Sequence, residues 1–401
     1  MNALRWAIYL GVSWTWCIGM YLPVLLVRDF GQWAFWVFAV PNVLGAAAMP
    51  WVVRTADASR ELVARHAGPM LTFSRVTVLF QAFFAGWMLP HLLGWWTLTV
   101  YPLLVVCLWL AARKDREFSA LTALTWLVSL LAGLTLARWG QLALPAFAGL
   151  EGAAMLAPVC LLGFLLCPYL DLTFHHALQR AEAERPGRAR LAFAVGFLVV
   201  FASMIGLSLL YATMLASPDT ATAARRVLGV HVMLQLVITA LLHHVRAASL
   251  ARQMGLAPSH AGRPRPGTTT ARTVNAGPPL LAMLALGFVV GLAAFLSPWR
   301  GGSGAWSLGE YLYRGFFVFY GLLFPAYVLF RIASPVPGSF QLLFVTVLLA
   351  LPLYAIGFYS SYPVFLGAGA AVVLLGWMVS GLRPPTRPSP PSPPSPPLTS
   401  A

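Results

Sequence analysis

Charge is what this sequence has least of. Only 9% of its 401 residues are Asp, Glu, Lys or Arg, and just 11 of them are acidic. A soluble domain carries nearer a quarter. Lysine is almost missing, Lys114 standing alone beside 25 arginines. Cysteine is scarce and badly placed for a disulfide framework: Cys17, Cys107, Cys160 and Cys167 all fall inside long apolar runs and match no zinc-ligand spacing. There is no Gly-x-Ser-x-Gly, no His-Glu-x-x-His and no phosphate-cradling Gly-Lys-Ser/Thr. Gly301-Gly-Ser-Gly304 lies in a loop without the strand and helix that a nucleotide site needs. No polar stretch is long enough for a soluble catalytic domain, so any function must reside among apolar helices, and the sequence points to no enzyme.

What is present is hydrocarbon. The apolar fraction is 59% and the mean hydropathy +0.78, which requires lipid as solvent. Runs of about 20 apolar residues cross a hydrocarbon core of about 30 Å. Twelve are predicted, at 4–27, 32–53, 70–90, 94–112, 118–137, 153–174, 191–215, 227–245, 279–299, 311–330, 339–359 and 362–382. The expected fold is therefore an all-α integral membrane protein, polytopic over 1–382. The first run is too long for a signal peptide and is followed by Arg28 and Asp29 rather than a small-residue cleavage site.

The net charge of +15 would hint at nucleic acid in a soluble protein. Its distribution says otherwise. With the N-terminus inside, 19 basic residues fall in cytoplasmic segments and 6 outside (Arg28, Arg138, Arg225, Arg226, Arg300, Arg314), with Arg75 within a span. Positive charge is retained on the cytoplasmic side, so both termini are expected there and no nucleic-acid partner is required. The linker 246–278, with Arg-Pro-Arg-Pro at 263–266, reads as flexible and basic. Residues 383–401 repeat Pro-Pro-Ser and read as a disordered, extended cytoplasmic tail. Arginine in place of lysine fits a GC-rich genome, hence a bacterial inner membrane.

Some spans break the rules of a plain apolar rod. The first contains Thr15, Gly19 and Pro23, and the sixth contains Gly163 and Pro168, each with Gly followed four or five residues later by Pro. That pairing weakens the helix ladder and frees carbonyls to face a cavity. They stand five spans apart, an odd offset, so they run in opposite directions, the pattern of paired breaks in inverted repeats. The second span holds Asn42 and Gly45 in Pro41-Asn42-Val-Leu-Gly45-Ala-Ala-Ala. Small residues there permit close packing, and the amide can serve a neighbouring helix or a path.

Ionisable and amide side chains inside a membrane are functional candidates by default. Asp171 follows Pro168-Tyr-Leu and is expected near the cytoplasmic end of the sixth span, where Arg75 lies at similar depth. The two form a candidate gate ion pair, the alternatives being a solvated carboxylate and a snorkelling arginine. Gln81, His231 and Gln235 are further candidates for a substrate or ion path. His175-His176 and His243-His244 end two spans on one side; adjacent imidazoles face apart, which argues for interfacial histidines over a metal site. Glu310 and Arg314 have the spacing of a local ion pair, and Phe319-Tyr320-Gly321 with Phe324-Pro325 marks another break.

At Gly19–Pro23, Pro41–Gly45 and Pro168–Asp171 the chain resembles the broken-helix transporters of the amino acid/polyamine/organocation superfamily, such as the sodium:solute symporters. It is also similar to multi-pass bacterial membrane proteins with Pro-Asn-x-x-Gly-Ala and Pro-Tyr-Leu-Asp segments. The resemblance implies a five-plus-five inverted repeat (1–137 and 153–330) with two added helices (339–382). It further implies a central site between helices 1 and 6 and coupling to Na+ or H+. The family's helix 8 hydroxyl pair for sodium has no counterpart in His231-Val-Met-Leu-Gln235. The expected activity is a secondary active transporter, a permease for a small solute working by alternating access and using no cofactor. The alternative is a sensory or assembly protein, or a lipid-handling enzyme, embedded in the membrane.

Overall fold

The computed structural model describes residues 3–112, 114–216, 221–254, 280–298, 307–334, 338–360 and 362–381. Most of the 246–278 linker, Gly301–Gly304 and the Pro-rich tail lie outside them. Among the described residues there is no β-strand; a helix is the one segment that satisfies its own backbone groups without water. The helices are α1 (Ala3–Trp14), α2 (Cys17–Phe30), α3 (Gln32–Val52), α4 (Ala56–Arg65), α5 (Ala67–Leu93), α6 (Thr97–Ala111), α7 (Asp115–Arg138) and α8 (Leu150–Leu166). They continue as α9 (Leu172–Glu184), α10 (Arg188–Leu210), α11 (Thr222–Gln253), α12 (Leu280–Leu296), α13 (Leu308–Ala333), α14 (Ser339–Ser360) and α15 (Pro363–Gly381).

Nine helical stretches are long and apolar enough to cross a membrane among the described residues, and the bent pair α1 with α2 adds a tenth. The remaining two predicted spans correspond to α6 and α12, apolar but only 15 and 17 residues long. Among the described residues α4 is a short polar helix, exposed or half-buried apart from Ser59 and begun by Thr55, whose side chain accepts from the Ala58 N–H.

The core sits around α5 and α11, the most buried spans, with α7, α14 and α15 at the periphery. On α5, α12 makes the tightest contact, because Gly287 and Gly291 present no side chain: a Cβ at Gly291 would lie 2.0 Å from the Phe83 carbonyl oxygen, and one at Gly287 would lie 2.5 Å from that of Leu79. Without a hydrophobic drive between helices in lipid, this small-xxx-small spacing is what lets two backbones touch.

The bent pair α1 with α2 runs from Arg5 at one end of the bundle to Arg28 at the other. With Arg28 lie Gly31, Ala148 and Glu310. Exposed Trp33, Trp95, Trp96 and Trp139 are on loops or helix starts at this same end, as the headgroup level of a bilayer favours. With Arg5 lies Glu184, and the Asp115–Arg246 pair closes the same end.

Candidate functional site

The first and sixth spans are both interrupted, and the two interruptions face each other. The first span breaks at Thr15–Trp16, and α1 and α2 are bent by 55°. This is not the Gly19–Pro23 stretch, which lies within α2 with both residues buried. The sixth span narrows to a 3-10 turn at Cys167–Leu170 and opens at Asp171, which is extended (φ −82°, ψ 111°). Pro168 starts that turn, where a missing N–H costs nothing. The helix then resumes as α9 to Glu184, so Asp171 lies in the interior of the bundle and not near an end. Across the break, α1 touches α9 and α2 touches α8, an antiparallel arrangement.

Polar groups gather here because broken backbone must be satisfied. At the α1–α2 break the Cys17 N–H donates to Gln81 Oε1 (3.3 Å), while Gln81 Nε2 donates to Thr239 Oγ1 (2.7 Å). The Tyr313 hydroxyl donates to the Cys17 carbonyl (3.0 Å). Thr15 Oγ1 donates to the Gly11 carbonyl (2.8 Å) and lies 3.5 Å from Met204 Sδ, which Gln235 Nε2 approaches at 3.6 Å. Trp14 Nε1 donates to Asn42 Oδ1 (2.6 Å). At the other break Asp171 caps α9: its Oδ1 accepts from the Thr173 N–H and hydroxyl, both at 2.7 Å, and the Thr173 hydroxyl lies 3.1 Å from Ser13 Oγ. Asp171 Oδ2 has no hydrogen-bond partner and faces His243 Nε2 at 3.8 Å. Both nitrogens of His243 also lack one, and its ring lies edge-on to Trp16.

Two linked cavities border the breaks. The smaller, about 20 Å³, has room for about one water between Trp14, Trp16, Gly19, Asn42 and Tyr320. The larger, about 80 Å³, runs from Gly163 and Tyr320 past Cys160 to Asp29 and Arg314. Gly163 lines both; a Cβ there would lie 2.9 Å from the Tyr320 carbonyl oxygen. Around Tyr320, α13 is wound in wider π turns at Phe319–Leu323 and again at Val328–Ala333, a distortion common at functional sites.

Each end of the bundle carries an ion-paired cluster. Arg28 pairs bidentately with Glu310 (2.6 and 3.0 Å); Arg314 contacts Glu310 (2.8 Å) and also Asp29. At the opposite end Glu184 accepts from Trp6 Nε1 (3.2 Å) and Arg188 (2.6 Å), with Arg5 at 3.6 Å. Burial raises the Glu184 carboxyl, but Trp6, Arg188 and Arg5 outweigh it and hold it below the usual range. Arg246 joins Tyr9 (3.2 Å) to Asp115 (3.0 Å).

Other expectations need correcting. Arg75 is not brought to Asp171: it lines a separate cavity between α5, α13 and α14, and no ion pair joins the two. Gly45 lines neither of the two cavities at the breaks; it lets α3 close on α8, its Cβ position being 2.5 Å from the Phe164 carbonyl oxygen. His231 bonds Ser129 on α7 (2.9 Å), one turn beyond the cluster. The four paired histidines diverge: His175 to Ser59, His176 to Asp115, His243 to Asp171 and His244 to Trp109. Sequence reasoning missed Ser13, Thr239 and His243 as members of the site. Single hydroxyls are ordinary in membrane helices, and His243 was expected at a helix end, whereas α11 continues to Gln253. No family model matches the chain, and no curated protein matches it in sequence.

Proposed function

We propose that the chain is a secondary active transporter, moving a small solute across a bacterial inner membrane by alternating access and coupled to protons. One observation carries this reading: the first and sixth spans are interrupted beside each other, with cavities between them and an ion-paired clamp at either end. Non-helical backbone within a membrane is tolerated where it lines a cavity, and there it offers a solute free N–H and C=O groups. With an ion-paired cluster across each end of the bundle, this arrangement is read as an occluded intermediate.

The helix contacts support a five-plus-five inverted repeat. Span 1 is α1 with α2, span 6 is α8 with α9, and α13 is span 10; each span is then exchanged with the one five later. The contact of α3 with α8 becomes α10 with α1, that of α12 with α5 becomes α6 with α11, and that of α7 with α1 becomes α13 with α8. All six contacts occur. In this reading α14 and α15 are the added helices, and all twelve spans cross, with the bilayer thinning at short α6 and α12. The 19-to-6 division of basic residues supports a cytoplasmic position for the Arg5–Glu184 end.

Proton coupling is supported by Asp171 and His243. A buried carboxylate with no cation against it is costly. One proton held between the two groups makes the pair neutral and its release leaves a net charge, so occupancy changes the electrostatics at both breaks. The test is a thermal-stability screen of the purified chain against solutes, with and without sodium and at several pH values, followed by uptake into proteoliposomes. A bound solute must raise the melting temperature. The account expects a stabilising solute whose uptake follows a pH gradient and ignores sodium. A full panel with no stabilising solute and no proton flux would count against it.

A further inference from the structure

The largest of the described cavities, about 540 Å³, takes no part in the proposed transport path. It lies between the first turns of α5, the last half of α13 and the start of α14, within the range of about 300–1,000 Å³ for small-molecule sites. Its walls are apolar, among them Phe319, Leu323, Leu343 and Val347, and its outer edge is formed by Phe340 and Phe344, each 64% exposed. The cavity therefore opens sideways, toward lipid. Arg75 is the one charged residue in the lining.

Arg75 is eight residues into α5, about 12 Å along its axis, and makes no ion pair or side-chain hydrogen bond with any described residue. A guanidinium at such depth in a membrane needs a counter-ion or a route to water. Side chains lean toward the N-terminus of their helix, which here is the bundle end carrying α4, so the charge tilts toward the headgroup level. The mouth is also basic. Arg331 bonds Ser339 Oγ (2.8 Å) with no described carboxylate beside it. Arg65 is shared with exposed Glu61. His66, bonded to Tyr327 of the cavity wall (2.8 Å), is held below the usual imidazole range first by burial and then by Arg65 and Arg331, which places both arginines close to this wall.

We propose that this groove holds one anionic phospholipid, its phosphate on Arg75 beneath the basic mouth and its acyl chain along the wall formed by Phe319, Phe340, Phe344 and Val347. The lipid supplies the counter-charge that the protein omits. This inference is independent of whether the chain transports a solute, because its readout is binding.

The test uses the full chain, delipidated in detergent and examined by native mass spectrometry with phosphatidylglycerol or phosphatidylethanolamine of matched acyl chains. Glycerol phosphate serves as a headgroup without chains. Wild type should retain phosphatidylglycerol about fivefold better than phosphatidylethanolamine, the difference one basic residue makes near a membrane surface. Arg75→Gln should abolish that preference and Arg75→Lys should keep most of it. Val347→Trp, which fills the groove without touching the charge, should lower occupancy by both lipids. Equal retention of the two lipids by wild type, an unchanged preference in Arg75→Gln, or competition by glycerol phosphate as strong as by whole lipid would overturn the proposal.

Discussion

Asp171 has two separable duties. Through Oδ1 it caps α9, and through Oδ2 it faces His243. Asparagine is as good a cap as aspartate but cannot take part in proton binding. Asp171→Asn should therefore fold, bind solute in the thermal-shift assay and fail to accumulate it on a pH gradient. Asp171→Ala should in addition lose about 1 kcal/mol of stability. If Asp171→Asn retains gradient-driven uptake, the pair is not the coupling site. Gln81 is a structural partner: replacing it by Leu leaves the buried Cys17 N–H unpaired, at a cost of about 1–3 kcal/mol, readable as a lower melting temperature. Asp171, Gln81 and Asn42 could be picked out from the sequence because each is a costly group in an apolar run. Their partners could not. Thr239 and Ser13 look like ordinary hydroxyls, and only the fold sets them against Gln81 and Thr173.

At the scale of the helix, the two breaks differ in how visible they are. Pro168 ends α8 by local chemistry, since it cannot donate and its ring crowds the carbonyl four residues back. The first break is not made by Pro23, which removes a single ladder bond that α2 survives. It falls at Thr15–Trp16, where long-range partners take over: Gln81 serves the Cys17 N–H and Tyr313 the Cys17 carbonyl. Nothing within Gly11–Pro23 announces those partners. The same logic applies to close contacts. Gly163→Val would drive its side chain into the Tyr320 carbonyl, and overpacking of this kind costs about 1–3 kcal/mol; because α8 and α13 meet beside both cavities, solute affinity should fall with it. The check is a titration of the stabilising solute against wild type and variant. A variant with lower stability and unaltered affinity would separate packing from the path.

For the whole molecule, composition alone indicated an all-helical membrane protein, since nothing else accommodates 59% apolar residues with 9% charged. Depth was harder to read. Hydropathy ends the sixth span near residue 174, whereas α9 carries His175, His176 and Arg180 onward to Glu184, covered by α4 and α10. Charges there are satisfied by tertiary partners that a window of hydropathy cannot see. Those partners make stability depend on pH. The His66 imidazole is depressed below its ordinary 6.5, so its contribution is complete above that value and is lost as the pH falls beneath it. Glu184 is depressed below 4.5, so its contribution is complete above 4.5 and is lost at still lower pH. Melting temperature in detergent should thus hold at neutral pH and decline in two stages on acidification, with His66→Gln weakening the first stage. A first stage left unchanged by His66→Gln would contradict the His66 assignment.

The central claim is that the interrupted spans and their cavities lie between two ion-paired clusters at opposite ends of the bundle that open alternately, and the protein carries its own reporter. Cys160 is buried and lines the larger cavity, while Cys107 is exposed. In a Cys107→Ser background, membrane vesicles of either orientation would be treated with a membrane-impermeant maleimide and the modification of Cys160 followed by mass spectrometry. The account predicts protection in the parent from both sides. Glu310→Gln, which cuts the Arg28 clamp, should admit reagent from the Arg28 side alone; Glu184→Gln, which cuts the Arg5 and Arg188 clamp, should admit it from the other side alone. Modification of Cys160 from both sides in one variant, or from neither side in both, would contradict alternating access.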